Sequence, residues 1–309
     1  MNTLALILAL ALAAVVALYF LAPRTVFGWA RNAQRRKGGM AQKSIEAGGL
    51  TWPYLEGGKA DGAVLVLVHG FGGDKDNWSF YAPHVKDHYR VIAPDLPGFG
   101  ENTRAAGLDY SGAAQAERLA AFLDALGIET CHLGGNSMGG LIALHFAFKY
   151  PQRLRSLTLF NNAGVIGPDE SELQRMVGRG ESPLVPRSLA DVDKLMDFIV
   201  HKPRYIPGAF KKVMWQDMAP HQGLLDAIFA QIAEEALAKP LNARLGEVSV
   251  PTQIVWGRHD RLLDVSCATV QHAGIRDSEL VIFEDVGHVP MIEKPAETAR
   301  HHLAFLAKH

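Results

Sequence analysis

Residues 130–151 read TCHLGGNSMGGLIALHFAFKYP. An apolar run ending at Leu133 enters a knot of glycines with one serine at its centre, and a second apolar run leaves it at Leu141. Glycine weakens regular structure, so Gly134, Gly135, Gly139 and Gly140 mark a backbone that needs an unusual shape. Thr130 to Gly134 reads as a strand, and Met138 to Tyr150 as a helix stopped by Pro151. Between them, Gly135-Asn136-Ser137-Met138-Gly139 fits G-x-S-x-G in the strand–turn–helix setting that gives the pattern meaning. A tight turn there lifts the serine Oγ above the sheet, and small neighbours keep strand and helix from clashing. The next amide, Met138 N–H, opens the helix, where unpaired donors and the helix dipole favour an oxyanion. Ser137 is therefore expected to be a nucleophile.

The chain on either side alternates strands with helices. Ala63 to Val68 (AVLVLV) is a continuous apolar run, as expected for a strand buried on both faces of a parallel sheet. Arg90 to Pro94 reads as a strand ending in a loop at Asp95-Leu96-Pro97-Gly98. Ser111 caps a helix that runs to about Leu126, with Gly127 ending it. Leu154–Phe160, Thr252–Trp256 and Glu279–Phe283 read as strands, and Glu293 to about Lys308 as a closing helix. This order predicts an α/β fold with a doubly wound, mainly parallel sheet. The rhythm breaks between Gly164 and Ser249, where helical patterns are interrupted by Pro183, Pro186, Pro203, Pro207 and Pro220. That stretch reads as a helical insertion over the strand ends, where α/β sheets bind ligands, and hence as a lid. Its stripe at Leu224, Leu225, Ile228, Phe229 and Ile232 is expected to pack the lid on the core.

A nucleophilic serine needs a base, an acid and oxyanion donors. His288 follows the last strand in the loop EDVGHVP and is placed to take the serine proton. Asp260, in WGRHD just past TQIVW, is the expected acid; Asp264 is the rival, and Asp285 lies too near His288 in sequence. The order Ser137, Asp260, His288 is nucleophile, acid, base. HGFGG at 69–73 directly follows a buried strand and can aim the Phe71 N–H at the oxygen that Met138 N–H would also meet. His69 is expected to brace that loop. His301, His302 and His309 fall in or after the last helix and are expected to be solvated.

The N-terminus differs from the rest. Leu4 to Ala22 carries no charge, Gly or Pro, and is long enough as a helix to cross a bilayer. Arg24, Arg31, Arg35, Arg36, Lys37 and Lys43 follow before the first acidic residue, Glu46. A basic flank favours the cytoplasmic side. The expectation is an uncleaved anchor over 1–23 and a basic linker over 24–42 resting near anionic headgroups. A core over 43–163 and 250–309 and a cap over 164–249 follow; cleavage would instead make the domain periplasmic or secreted. Charged residues are 20% and the net charge is −1, so no basic field suggests nucleic acid. Cys131 and Cys267 offer no metal spacing, and no cofactor or metal pattern is present.

HGFGGDKDNW (69–78), DLPGFGEN (95–102), GGNSMGG (134–140), HKPRYIP (201–207), WGRHD (256–260) and DVGHVPM (285–291) together resemble the α/β-hydrolase superfamily. Within it they resemble cold-active bacterial lipases and the membrane-anchored monoacylglycerol lipases of animals. The resemblance covers nearly everything from residue 43 and implies a Ser137–Asp260–His288 triad, with Phe71 and Met138 as oxyanion donors. It implies an acylglycerol lipase working through an acyl-enzyme at a bilayer. Two other activities fit the same residues: a carbon–carbon bond hydrolase of ring-cleavage products, in whose family GNSMGG also occurs, and a general short-chain carboxylesterase. A serine at this position argues against dehalogenase and epoxide-hydrolase chemistry. A non-catalytic membrane adaptor would leave the intact Ser, Asp and His unexplained.

Overall fold

The computed structural model describes residues 17–202 and 205–309, together with residues 3, 5 and 7. Eight strands form one sheet: β1 (Ala41–Ala47), β2 (Leu50–Gly58), β3 (Val64–Val68), β4 (Arg90–Pro94), β5 (Cys131–Asn136), β6 (Leu154–Phe160), β7 (Thr252–Gly257) and β8 (Ser278–Phe283). Their order is β1-β2-β4-β3-β5-β6-β7-β8. β1 and β2 form an antiparallel hairpin on the edge, and β2 runs antiparallel to β4. Every pair from β4 to β8 is parallel. The strand reading of the sequence thus matches the parallel body; the edge hairpin is not marked, because AQKSIEA is largely exposed and carries one large apolar residue, Ile45.

The apolar runs are explained by two cores. In β3, Val66 and Val68 join the core on one face and Leu65 and Leu67 that on the other, the period-two alternation of a strand covered on both sides. Helices Gly112–Ala125 and Met138–Lys149 cover the first face, with Trp52 stacked on Phe122 at 4.8 Å. The last helix and the short turns at 75–84 cover the second through Trp78, Tyr81 and Phe305.

Among the described residues four α-helices stand between β6 and β7: Glu172–Gly178, Leu189–Ile199, Gly208–Met218 and Gln222–Ala233. Among the described residues no strand lies in this stretch. Leu225, Ile228, Phe229 and Ile232 are the buried face of the fourth helix, as its spacing predicts, and join the first core.

The closing helix runs Pro295–Leu306, within about two residues of its expected ends, with the separate turn Pro290–Glu293 before it. Two expectations change. His302 is not solvated: it is fully buried between the Tyr81 and Thr158 hydroxyls at 2.6 and 2.8 Å, and burial pushes its pKa down to about 3. Most of residues 24–42, expected as a basic linker, belong to the helix Pro23–Lys37, which packs on the protein rather than trailing from it. Phe27 meets Phe210 edge-on at 5.2 Å, and Arg24 pairs with Asp217 at 2.5 Å. Of the expected anchor Leu4–Ala22, most lies outside the described residues. Among the described residues no helix is long and apolar enough to cross a membrane.

Candidate active site

The turn between β5 and its helix has the geometry that its glycines suggest. Ser137 sits at φ 56°, ψ −120°, a strained conformation for a residue with a side chain. Ser137 N–H donates to the Phe160 carbonyl at 3.0 Å, while its own carbonyl accepts from Gly140 N–H and Leu141 N–H. A Cβ on Gly135 would fall 2.2 Å from the Gly139 carbonyl oxygen, and one on Gly139 would fall 2.4 Å from that of Val68. Only glycine fits either place, so the strand, the turn and the helix close around the serine.

Asp260 and His288 are joined. His288 Nδ1 lies 2.7 Å from Asp260 Oδ2, in a pair whose side chains are almost wholly buried. Asp260 Oδ2 also accepts from Asn161 Nδ2 at 2.7 Å, and Oδ1 from Leu262 N–H and Leu263 N–H at 2.8 and 3.1 Å. Four donors thus saturate a group that only accepts. With Nδ1 turned to a carboxylate, the neutral ring carries its proton there and Nε2 keeps a lone pair. The rivals are occupied elsewhere: Asp264 accepts from Ser266 N–H and Asp285 pairs with Lys294 at the surface. The His288 main chain is fixed at both ends, its N–H donating to Ile199 at 2.9 Å and its carbonyl accepting from Asn136 Nδ2 at 3.1 Å. Asn136 directly precedes Ser137, which brings the base loop against the turn. Among the described residues no hydrogen bond joins Ser137 Oγ to the imidazole; such bonds are commonly long in ligand-free enzymes and tighten with substrate.

The 69–73 loop is braced from two sides. His69 is fully buried, its Nδ1 bonded to the Gly70 carbonyl at 2.8 Å and its Nε2 accepting from Leu96 N–H at 3.0 Å. Burial pushes its pKa down, which suits a neutral brace. Lys75, also buried, donates to Asp95 from both its main-chain N–H and its Nζ, at 2.8 and 2.7 Å.

Ser137, Met138 and Phe71 line a pocket holding about 500 Å³ of empty space, part of it open to solvent. Every other lining residue is apolar, including Leu173, Val177, Phe229 and Ile232 from the helical insertion. Both cysteines are free and buried, and burial pushes Cys131 up to about 12 and Cys267 up to about 11, which keeps both as unreactive thiols.

The family model for the alpha/beta hydrolase fold matches residues 63–295. The chain belongs to the α/β-hydrolase family. It is 35% identical over 274 residues to Lipase 1 of Psychrobacter immobilis, covering 88% of this chain and 86% of that protein. It is 31% identical over 286 residues to the monoacylglycerol lipase abhd6-A of Xenopus laevis, covering 88% and 84%. Among solved structures, a membrane phospholipase A matches with a TM-score of 0.90 at 38% identity, over 100% of this chain and 99% of that one.

Three residues of this α/β hydrolase were not singled out from sequence. Asn136 and Asn161 tie the serine turn, Asp260 and the His288 loop together, and the polar doublet Asn161-Asn162 at the end of an apolar strand is the visible signal. Glu293 accepts from Gly287 N–H at 2.9 Å, Val289 N–H at 3.3 Å and His201 N–H at 2.9 Å, flanking His288 on both sides. Nothing local marks it. Of HKPRYIP, residues 203 and 204 lie outside those described, and His201 stacks on His259 at 3.8 Å.

Proposed function

We propose that this protein is a membrane-anchored lipase that cleaves carboxylic esters of glycerol, monoacylglycerols above all, through an acyl-enzyme. The observation that carries this reading is the apolar pocket opening on Ser137, with the Asp260–His288 pair hydrogen-bonded beside it. An acyl chain fills such a lining without burying an unpaired polar group, whereas a charged dienone acid would meet no counter-charge there.

Ser137 Oγ attacks the ester carbonyl as His288 Nε2 takes its proton, and Asp260 holds the imidazole and balances its charge. The carbonyl oxygen becomes an oxyanion received by the Phe71 and Met138 amides. The intermediate collapses, the alcohol leaves with the proton from His288, and Ser137 keeps the acyl group. Water then gives a proton to His288 and attacks the acyl-enzyme; the second intermediate collapses, releasing the fatty acid as Ser137 Oγ recovers the proton from His288. The helices at 164–249 act as the lid over the acyl chain. Leu4–Ala22 holds the site at the bilayer from which a lipid ester arrives, and the excess of basic residues behind it favours the cytoplasmic side for the domain.

The test is the hydrolysis rate against acyl-chain length and glyceride class for full-length protein in mixed micelles, with Ser137→Ala as the blank. Monoacylglycerols of medium or long chain should be fastest. Short soluble esters outpacing every glyceride would reduce the reading to a general esterase, and preference for a dienone diacid would move it to carbon–carbon cleavage.

A further inference from the structure

We infer that Arg35 is a positioning residue for the loop that carries Phe71, which makes the helix Pro23–Lys37 a working part of the ester-cleaving site. The inference rests on reading the Phe71 N–H as an oxyanion donor.

Arg35 is 6% exposed, although it lies in a helix rich in basic residues. Its guanidinium grips Asp76 through two bonds, Nε to Oδ1 at 2.5 Å and Nη2 to Oδ2 at 2.6 Å. The remaining nitrogen, Nη1, donates to Gln42 at 2.7 Å and to Asn32 at 3.3 Å. A planar fork on a carboxylate sets orientation as well as distance, and lysine cannot reproduce it. Nearby, Gln34 Nε2 donates to the Ser79 carbonyl at 3.1 Å, so the helix holds the 75–80 turn at two points.

Asp76 lies five positions after Phe71, and the intervening Gly72 and Gly73 have no side chains to hold the path. Within the loop, Gly73 N–H donates to the Gly70 carbonyl at 3.1 Å and the Phe71 ring meets Phe99 and Phe229 edge-on, so the turn forms locally while its placement is set from its ends. His69 fixes one. The other depends on Lys75 and Asp76, each held by a buried ion pair with a distant element. The surrounding charges leave little reserve: Asp74, Asp76, Asp95 and Glu101 face Arg31, Arg35 and Lys75. With Arg35 removed, the nearest cation to Asp76 is Arg31 at 3.8 Å, and Arg31 is shared with Glu101 at the same distance. A buried carboxylate stripped of its main partner moves towards water, and the turn moves with it. Displacing a donor by about 1 Å costs on the order of 10²-fold in rate.

The experiment uses full-length protein in detergent micelles, with kcat for a soluble p-nitrophenyl ester normalised to Ser137 sites titrated by a fluorophosphonate. Arg35→Gln should lower kcat by about 10- to 100-fold with KM within about threefold, and weaken inhibition by a trifluoromethyl ketone by the same factor as kcat/KM. Arg35→Lys should fall between Arg35→Gln and the wild type, and Arg35→Gln with Asp76→Asn should recover part of the loss by removing the stranded charge. If Arg35→Gln does not fold, Arg35→Lys carries the test. Folded Arg35 variants that keep wild-type kcat per titrated site and unchanged ketone inhibition, with only a lower Tm, would overturn the inference. A wild-type Ser137 that resists the fluorophosphonate would instead overturn the hydrolase reading beneath it.

Discussion

The two sides of Ser137 are held by different physics. On the side of the proposed base, the Asp260 carboxylate is fixed by uncharged donors, Asn161 and the Leu262 and Leu263 amides, besides His288. On the side proposed to receive the oxyanion, the Phe71 loop is fixed by buried ion pairs, Lys75 with Asp95 and Arg35 with Asp76. Uncharged donors aim a carboxylate without requiring a counter-charge. Ion pairs hold strongly, but each member depends on the other. Damage on the base side should therefore appear as lost rate with little lost stability, and damage on the oxyanion side as lost rate and lost stability together.

Asp260→Asn is the strongest test of the first half. The amide would turn an N–H towards His288 or the Leu262 and Leu263 amides, so the imidazole loses its tautomer. We expect kcat to fall by about 10⁴-fold, with unfolding free energy changed by less than about 2 kcal/mol. A collapse in Tm together with the rate would break the contrast. Lys75→Met tests the other half. It leaves the fully buried Asp95 carboxylate with only the Lys75 and Glu101 amide donors. Urea unfolding should show a loss of about 3–5 kcal/mol, with kcat per titrated site falling by no more than about 10²-fold. Glu293→Gln sharpens the comparison at smaller scale. Glutamine keeps one oxygen for the loop amides and turns N–H groups on the rest, so kcat should fall by about tenfold with KM steady. A rise in KM alone would make Glu293 part of substrate binding.

The same contrast explains what could be read from the sequence. Ser137, Asp260 and His288 each follow a strand end, and their spacing is a pattern that strands and turns impose locally. HGFGG was visible for the same reason. Its supports were not, since Arg35 meets Asp76 across 41 positions and nothing periodic links them. Arg35 was read with its basic neighbours as linker, although its role lies in one buried contact. His302 was legible in principle. Thr298, Ala299, His302, Phe305 and Leu306 are the buried face of the last helix at helical spacing, and the polar run around the histidine masked it.

The smallest expected effect lies at the edge of the ion-pair network. Asp74 caps the turn at 75–80 by accepting from Asp76 N–H at 2.8 Å. Burial, with Asp76 and Asp95 nearby, raises its carboxyl from 3.8 to about 6. Between those values the folded protein holds a proton that the unfolded chain has released, so stability falls as pH rises through this window and the loss is complete above it. Asparagine keeps an oxygen for the cap and carries no charge at any pH. Asp74→Asn should match the wild type near pH 4 and exceed it at pH 7 to 8 by about 1–2 kcal/mol, a figure discounted for partial exposure, or a few degrees in Tm. A gain of equal size at both pH values would point to a better cap rather than a relieved charge. No gain at pH 7 would mean that Lys75 already compensates Asp74, and the oxyanion side would then be less delicately balanced than its count of acids and bases implies.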